Sequence, residues 1–259
     1  MSPLDSLPDG LPPGRLIVPD LDFADDMWAD RPVMWVSDGP VPDAGERWGR
    51  LFGEHRETGL YPLLLETLPA DGERPWHAGE LSPRSIGAVD ALTADGVLRR
   101  LWAEVTEDDA ELPYRSWPGP AAPGDGPADP GETARAHAAR LGGVSSADGV
   151  LLGLVPAGRG ADTLAACGWD GPCDHTGHPQ EISAVLRSWE DRFGIRVIKV
   201  GFDTLYLSVA APPTTIEQAR RLTAEHHAFS PDALWQGGVT FEEYAEGLIG
   251  SAGWFFRWD

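Results

Sequence analysis

The feature that most constrains the fold is an amphipathic helix followed directly by two short apolar strands. Between Gln180 and Phe193, apolar side chains recur every three or four residues along one side of a helical wheel. Gly194 stands just after this stripe, in the position where glycine commonly ends a helix. Two β-branched runs follow, 195–200 and 204–209, and the short spacing between them indicates a hairpin. A helix beside a hairpin is typical of an α+β domain.

Further elements on both sides of this unit give the C-terminal half an element order. Residues 150–155 form an apolar run typical of a buried strand, and 214–228 and 240–249 are predicted helices. The aromatic run 254–259 is the predicted last strand, and we expect it at an exposed sheet edge. The order β-α-β-β-α-α-β predicts an α+β fold with a mixed or antiparallel sheet. In it, the C-terminal half is ferredoxin-like (split βαβ) with one extra helix.

The N-terminal half is predicted to contribute three more strands and two helices. The strands are 15–18, 33–37 and 60–66, and the helices are 44–57 and 91–105. Proline lacks the N–H that a central strand needs, so Pro62 favours an edge position or a strand start for the third strand.

A proline- and glycine-rich tract, 117–131, separates the two halves. Such a composition offers too little apolar surface to offset the chain entropy lost on ordering, so a linker or long exposed loop is predicted. The expected division is therefore an N-terminal α/β region over 1–116, this tract, and a C-terminal α+β domain over 132–259.

The charge balance excludes some partners. The chain has 41 acidic and 20 basic residues, a formal net charge of −21. A surface this negative repels phosphate backbones and anionic lipids, so neither nucleic acid nor a membrane is an expected partner. Two cysteines do not make a disulfide framework. The first residues resemble no secretory signal, and no apolar run approaches the ~18–20 residues of a membrane span, so a cytoplasmic location is predicted.

Familiar catalytic motifs are absent from the sequence, including those of phosphate-binding loops, zinc proteases, serine hydrolases and dithiol redox sites. Cys173, His175 and His178 place one thiol and two imidazoles within six residues. Structural zinc sites need four ligands, usually in paired spacings that are missing here, so a polar loop is the simpler interpretation. No metal and no cofactor are predicted.

His226 is the residue of most chemical interest. On the helical wheel it lies among apolar residues and faces the core, whereas Glu225 lies on the far side, four residues after Arg221. An exposed ion pair between Glu225 and Arg221 is therefore expected. A histidine on an apolar face must find hydrogen-bond partners, and a structural role bracing helix against sheet is the leading interpretation. The functional alternative is a His–carboxylate pair with a tuned pKa.

Three carboxylates are candidate partners for such a pair. Asp203 lies in the hairpin turn, Asp232 follows the helix that carries His226, and Glu190 flanks the apolar stripe of the preceding helix. If these groups met in one cavity, they could serve as a binding site or as a general acid and base.

Five segments, in order along the chain, resemble the bacterial domain-of-unknown-function family 4253 (DUF4253). They are 168–172, 185–194, 201–205, 224–232 and 254–259. The resemblance covers roughly the last 110 residues, and segments 33–37 and 58–65 are similar to the N-terminal portion of longer members. The family name carries no established activity, so the resemblance implies a domain boundary and a residue set but no reaction.

Two functional classes stay open at the level of sequence. The first is a protein-interaction or ligand-binding module with an unidentified protein or small-molecule partner, favoured by the missing catalytic motifs and the aromatic last strand. The alternative is a small hydrolase or transferase that uses His226 with Asp203, Glu190 or Asp232. An enzyme of that kind needs His226 in a solvent-reachable pocket with a carboxylate in hydrogen-bond range.

Overall fold

The computed structural model describes residues 2–105, 112–126, 128–143, 149–235 and 238–258. Within these residues, seven strands form one mixed sheet in the order β1-β2-β4-β3-β5-β6-β7. The strands are β1 (Gly14–Ile17), β2 (Met34–Ser37), β3 (Leu60–Leu65), β4 (Leu151–Pro156), β5 (Arg196–Val200), β6 (Thr204–Ser208) and β7 (Gly253–Arg257). Neighbouring strands run antiparallel except β3 and β5, which are parallel.

The helices pack around this sheet in two groups. Helices α1 and α4 pack on each other and against strands β3 and β5. Helix α6 packs with α3 and α5, and α7 packs with α3 and α9. The helices are α1 (Ala44–Thr58), α2 (Ile86–Asp90), α3 (Ala94–Val105), α4 (Pro130–Gly143), α5 (Thr163–Cys167), α6 (Pro179–Phe193), α7 (Ile216–Phe229), α8 (Asp232–Trp235) and α9 (Phe241–Leu248). The α+β class is confirmed.

Strand β3 lies near the centre of the sheet, where its proline was not expected. Pro62 pairs with Leu154 of β4 on one side. On the other side, the ladder with β5 begins only at Leu64, which pairs with Lys199. Pro62 therefore lies outside the stretch of β3 that pairs with β5. Its missing N–H costs no hydrogen bond between these two strands, so a central position is compatible with the proline.

The ferredoxin-like arrangement is not confirmed. In a split βαβ unit, the strand between the first two strands comes from later in the chain. Here the strand between β4 and β5 is β3, which comes from the N-terminal half. The division into 1–116, 117–131 and 132–259 stays a prediction, but strands from both sides of the tract share one sheet and one hydrophobic core.

The proline- and glycine-rich tract is irregular as predicted, yet its described part is anchored rather than loose. Ala121 is only 3% exposed, and its N–H donates to the Glu225 carboxylate at 2.7 Å. The Ala121 carbonyl accepts from Arg192 at 2.9 Å. Gly124 lies so close to Ala211 that a Cβ would come within 1.7 Å of the Ala211 carbonyl oxygen. These contacts anchor the tract to helices α6 and α7 at Ala121 and Gly124, while five of the ten residues 117–126 are exposed. The interpretation of the tract as a linker or long exposed loop stays a prediction.

Helix α4 begins at Pro130, within the last two residues of the tract, and was not predicted. Its first turn is capped by Asp129, whose carboxylate accepts from the Glu132 N–H at 2.8 Å, and Pro130 occupies the first helical position. The predicted position of the last strand is confirmed, because among the described strands β7 pairs with β6 alone and forms a sheet edge. In the described part of the chain, no helix combines the length and apolarity needed to cross a membrane.

Candidate functional site

His226 is enclosed in an aromatic cluster. It has no exposed surface, and its ring lies 4.9 Å from the Trp189 ring and 4.6 Å from the Trp254 ring, centroid to centroid. Nδ1 is 3.1 Å from the Tyr244 hydroxyl, and Nε2 has no hydrogen-bond partner among the described residues. Burial, with a smaller contribution from the positive charge of Arg192, holds the pKa of His226 well below its usual value. The imidazole is therefore neutral at physiological pH.

Glu225 is not the surface residue that the helical wheel predicted. It is fully buried, and its carboxylate accepts hydrogen bonds from Arg192 and from the Trp189 indole N–H at 2.8 Å. Arg221, the expected partner, instead donates to the Pro118 carbonyl at 2.8 Å. The prediction of an exposed Glu225–Arg221 pair is wrong, because the tract and α6 together cover the side of α7 that a lone helix would expose.

The three carboxylates proposed as partners of His226 do not meet it. Glu190 and Asp203 line two different cavities, of about 630 Å³ and 530 Å³. Asp203 lies 3.7 Å from Arg257 at the hairpin turn, and Asp232 begins the short helix α8. No hydrogen bond between His226 and these carboxylates is present among the described residues. In the part of the chain that the structure describes, these groups therefore do not converge as a His–carboxylate pair requires.

The loop that contains Cys173, His175 and His178 does not bring its side chains together as metal ligands. His175 Nε2 lies 2.9 Å from the Ala228 carbonyl oxygen of α7. This contact occupies one of the two imidazole nitrogens of His175. In the ranges that the structure describes, no group of three or more histidine, cysteine, aspartate or glutamate side chains could hold a metal ion.

The larger cavity, of about 630 Å³, is lined by an unusual concentration of positive charge. Four arginines face it, together with only two carboxylates, a formal net charge of +2 in a chain whose net charge is −21. We call it the arginine cavity; its charged lining residues are Arg56, Arg135, Arg159, Arg196, Asp129 and Glu190.

Glu190 is the only one of the predicted site residues in the arginine cavity, and it is loosely held there. One carboxylate oxygen accepts from the Ala161 N–H at 3.1 Å. The other lies 3.4 Å from Arg159 Nε and 3.7 Å from an Arg196 nitrogen, which is longer than a hydrogen bond to Arg196 allows. Arg159 Nε is buried without a hydrogen-bond partner in the described part of the chain. Arg159 also forms an ion pair with Asp191 at 2.6 Å, so at this end of the cavity it is the Arg196 guanidinium that is only partly neutralised.

The other two arginines carry more available charge. Arg56 extends from α1 and Arg135 from α4, and neither forms an ion pair with a described residue. Arg135 lies over the Phe52 ring at 5.5 Å, which restricts its position without neutralising it. Asp129 does not compensate for them fully, because its carboxylate caps the N-terminus of α4.

The cavity floor is aromatic, and its side chains are held by hydrogen bonds and ring contacts. Tyr61 of β3 is 1% exposed, and its hydroxyl donates to the Val197 carbonyl at 3.0 Å. Its ring makes edge contacts with Phe52 and His55, and His55 Nε2 lies 2.7 Å from the Ala157 carbonyl oxygen. Burial raises the pKa of Tyr61 far above its usual value, so its hydroxyl stays protonated and cannot act as a base near neutral pH.

Comparison with known proteins gives one match. Residues 151–259 match a family model described as a domain of unknown function (DUF4253). The chain is a DUF4253 domain-containing protein. No curated protein and no solved structure matches it.

The arginine cavity is only half built by the DUF4253 domain. That domain contributes the turn 157–160, Glu190 and Arg196, whereas α1, Tyr61 and the start of α4 come from residues upstream of it. Strand β3, which carries Tyr61, also lies between two DUF4253 strands, β4 and β5. The upstream residues therefore complete both the sheet and the cavity.

Sequence reasoning missed this cavity because its parts are far apart in the chain. Arg56 and Arg196 are separated by 140 positions, and no short motif links them. The available signal was weak. The Gly158-Arg159-Gly160 turn follows a strand and could have indicated a backbone approach to an anion, but it lacks the third glycine of a dinucleotide fingerprint.

Proposed function

We propose that this protein is a ligand-binding module that holds a small anionic molecule, bearing phosphate or carboxylate groups, in the arginine cavity. One observation carries the proposal: four arginines line a single cavity in a strongly acidic chain, and two of them have no ion-pair partner among the described residues.

Charge and shape both support an anionic ligand. Guanidinium groups match carboxylate and phosphate oxygens in a two-point geometry, and their charge stays fixed at any physiological pH. A cavity of about 630 Å³ is in the range of small-molecule sites. The rest of the acidic surface repels anions at long range, so a local positive cavity is needed for an anion to be selected.

The surroundings of His226 give less support to the hydrolase or transferase alternative. His226 has no exposed surface and no carboxylate partner among the described residues, whereas general acid–base catalysis requires contact with the substrate.

The proposal can be tested by thermal-shift screening of the full chain. The panel contains inorganic phosphate, pyrophosphate, citrate and adenosine monophosphate at constant ionic strength. We expect at least one anion to raise the melting temperature of the wild type, because a ligand that binds only the folded state stabilises it.

The double variant Arg56→Ala/Arg135→Ala should lose that shift. The matched control is Arg99→Ala/Arg220→Ala, which removes two exposed arginines that pair with Asp95 and Glu242 outside the cavity. Equal shifts in both double variants, or no shift with any anion, would contradict the proposal.

A further inference from the structure

A second surface, distant in sequence from the arginine cavity, has a composition that the ligand-binding proposal does not explain. Among the described residues, nine large apolar side chains are exposed, and five of them fall between positions 16 and 27. They are Leu16, Val18, Leu21, Phe23 and Met27. Leu21, Phe23 and Met27 are 50%, 49% and 57% exposed, so about half of each side chain contacts solvent.

The same stretch carries only negative charge. Residues 16–30, which we call the acidic–apolar segment, contain five exposed aspartates and no lysine, arginine or histidine. None of these aspartates forms a salt bridge with a described residue. The aspartates are Asp20, Asp22, Asp25, Asp26 and Asp30.

The acidic–apolar segment has a fixed shape. The Asp20 N–H donates to the Gly79 carbonyl at 2.8 Å, and the Asp20 side chain accepts from the Asp22 N–H at 2.9 Å. A short 3-10 helix, Asp26–Trp28, follows, and Trp28 packs against the main hydrophobic core. Phe23 and Met27 are therefore presented from an ordered scaffold, which lowers the entropy lost on binding a partner.

We propose that the acidic–apolar segment is a docking surface for a basic protein partner that offers apolar pockets beside lysine or arginine side chains. Exposed apolar side chains concentrated in one short segment favour an interaction site, and complementary charge sets the choice of partner and speeds association. The five aspartates disfavour a second copy of this chain, which would bring the same negative charges together.

The probe for this proposal is a fluorescein-labelled, 18-residue amphipathic peptide of leucine and lysine, with binding followed by fluorescence anisotropy. Leu21→Ser/Phe23→Ser/Met27→Ser keeps the charge and should weaken binding about tenfold or more. The matched control, Ile86→Ser/Val239→Ser/Ile249→Ser, removes three exposed apolar side chains elsewhere and should leave the affinity within about twofold.

A second pair of variants tests whether the negative charges of the segment are needed for binding. Asp22→Asn/Asp25→Asn/Asp26→Asn should weaken binding and flatten its salt dependence, because it removes the negative groups nearest the bound peptide. Asp9→Asn/Asp125→Asn/Asp174→Asn changes the net charge equally at other exposed positions and should have a much smaller effect. Far-ultraviolet circular dichroism confirms that each variant is folded.

Three results would overturn the proposal. The first is equal weakening by a segment variant and its matched control, which would show that binding follows bulk hydrophobicity or net charge. The second is concentration-dependent dimerisation in light scattering that the segment variant abolishes, because the surface would then bind a second copy. The third is binding of the wild type, but not of the segment variant, to neutral phosphatidylcholine vesicles, because the surface would then be a membrane contact.

Discussion

Arg192 of α6 and Glu225 of α7 form a two-point ion pair inside the protein, with one guanidinium nitrogen 2.8 Å from a carboxylate oxygen. Glu225 has no exposed surface, and its carboxylate also accepts from the Ala121 N–H and the Trp189 indole. This single carboxylate therefore connects two helices and the proline- and glycine-rich tract.

Glu225→Gln should destabilise the protein by about 3–5 kcal/mol, because it leaves the Arg192 charge inside the protein without its counter-charge. The measurement is the free energy of unfolding in urea. Glu54→Gln, which breaks the exposed Arg50–Glu54 pair, is the matched control and should cost about 0.5 kcal/mol or less. Similar decreases in the free energy of unfolding for the two variants would show that the buried pair stabilises the protein no more than an exposed pair does.

The stability of the protein should depend on pH through His226. Burial and Arg192 lower the pKa of the folded imidazole, so the folded state stays neutral while the unfolded chain takes up a proton below about pH 6.5. Protonation thus favours unfolding, and this contribution to stability, present above about pH 6.5, is lost as the pH falls.

The comparison of wild type with His226→Phe isolates that contribution. Between pH 6 and pH 5, the wild type should lose stability more steeply with falling pH than the variant. Urea unfolding at each pH measures the difference, in which the other titrating groups largely cancel. Parallel pH profiles for the two proteins would show that His226 is not held neutral.

Residues 151–259 alone should not fold cooperatively. Strand β3 pairs with both β4 and β5, so a fragment limited to the DUF4253 match lacks the strand that joins them. We expect the fragment to show no sharp thermal transition by circular dichroism, whereas the full chain shows one. A cooperative transition in the fragment would mean that its strands can pair without β3.

Glu190→Gln should strengthen the binding of pyrophosphate, since it removes one of the two carboxylates that line the arginine cavity. The formal net charge of the lining rises from +2 to +3. A severalfold lower dissociation constant is expected from isothermal titration. Glu242→Gln, which removes an exposed carboxylate paired with Arg220 outside the cavity lining, is a control and should have a smaller effect.

The sequence allowed the secondary structure to be predicted where one element carries its own signal. The apolar stripe and Gly194 define α6, and the Thr240 capping box predicts α9, which the structure confirms. The insertion of β3 between β4 and β5 could not be predicted, because strand order depends on long-range pairing.

In the candidate site, too, side-chain positions that depend on distant parts of the chain could not be predicted from the sequence. The wheel correctly placed His226 in the core, since its neighbours on α7 are apolar. It failed for Glu225, because the groups that bury this carboxylate come from α6 and from Ala121 of the tract. The arginine cavity was missed for the related reason that its charges come together only in the folded chain.

The most direct test of anion binding is isothermal titration of pyrophosphate into the full chain and into Arg56→Ala/Arg135→Ala. Each guanidinium contact to a phosphate oxygen contributes roughly 1.5–3 kcal/mol, so the double variant should bind at least tenfold more weakly. Anion binding in the arginine cavity predicts saturable one-to-one binding to the wild type and to Arg99→Ala/Arg220→Ala, and its loss in the cavity variant. Absence of saturable binding to the wild type, or equal affinity in all three proteins, would contradict it.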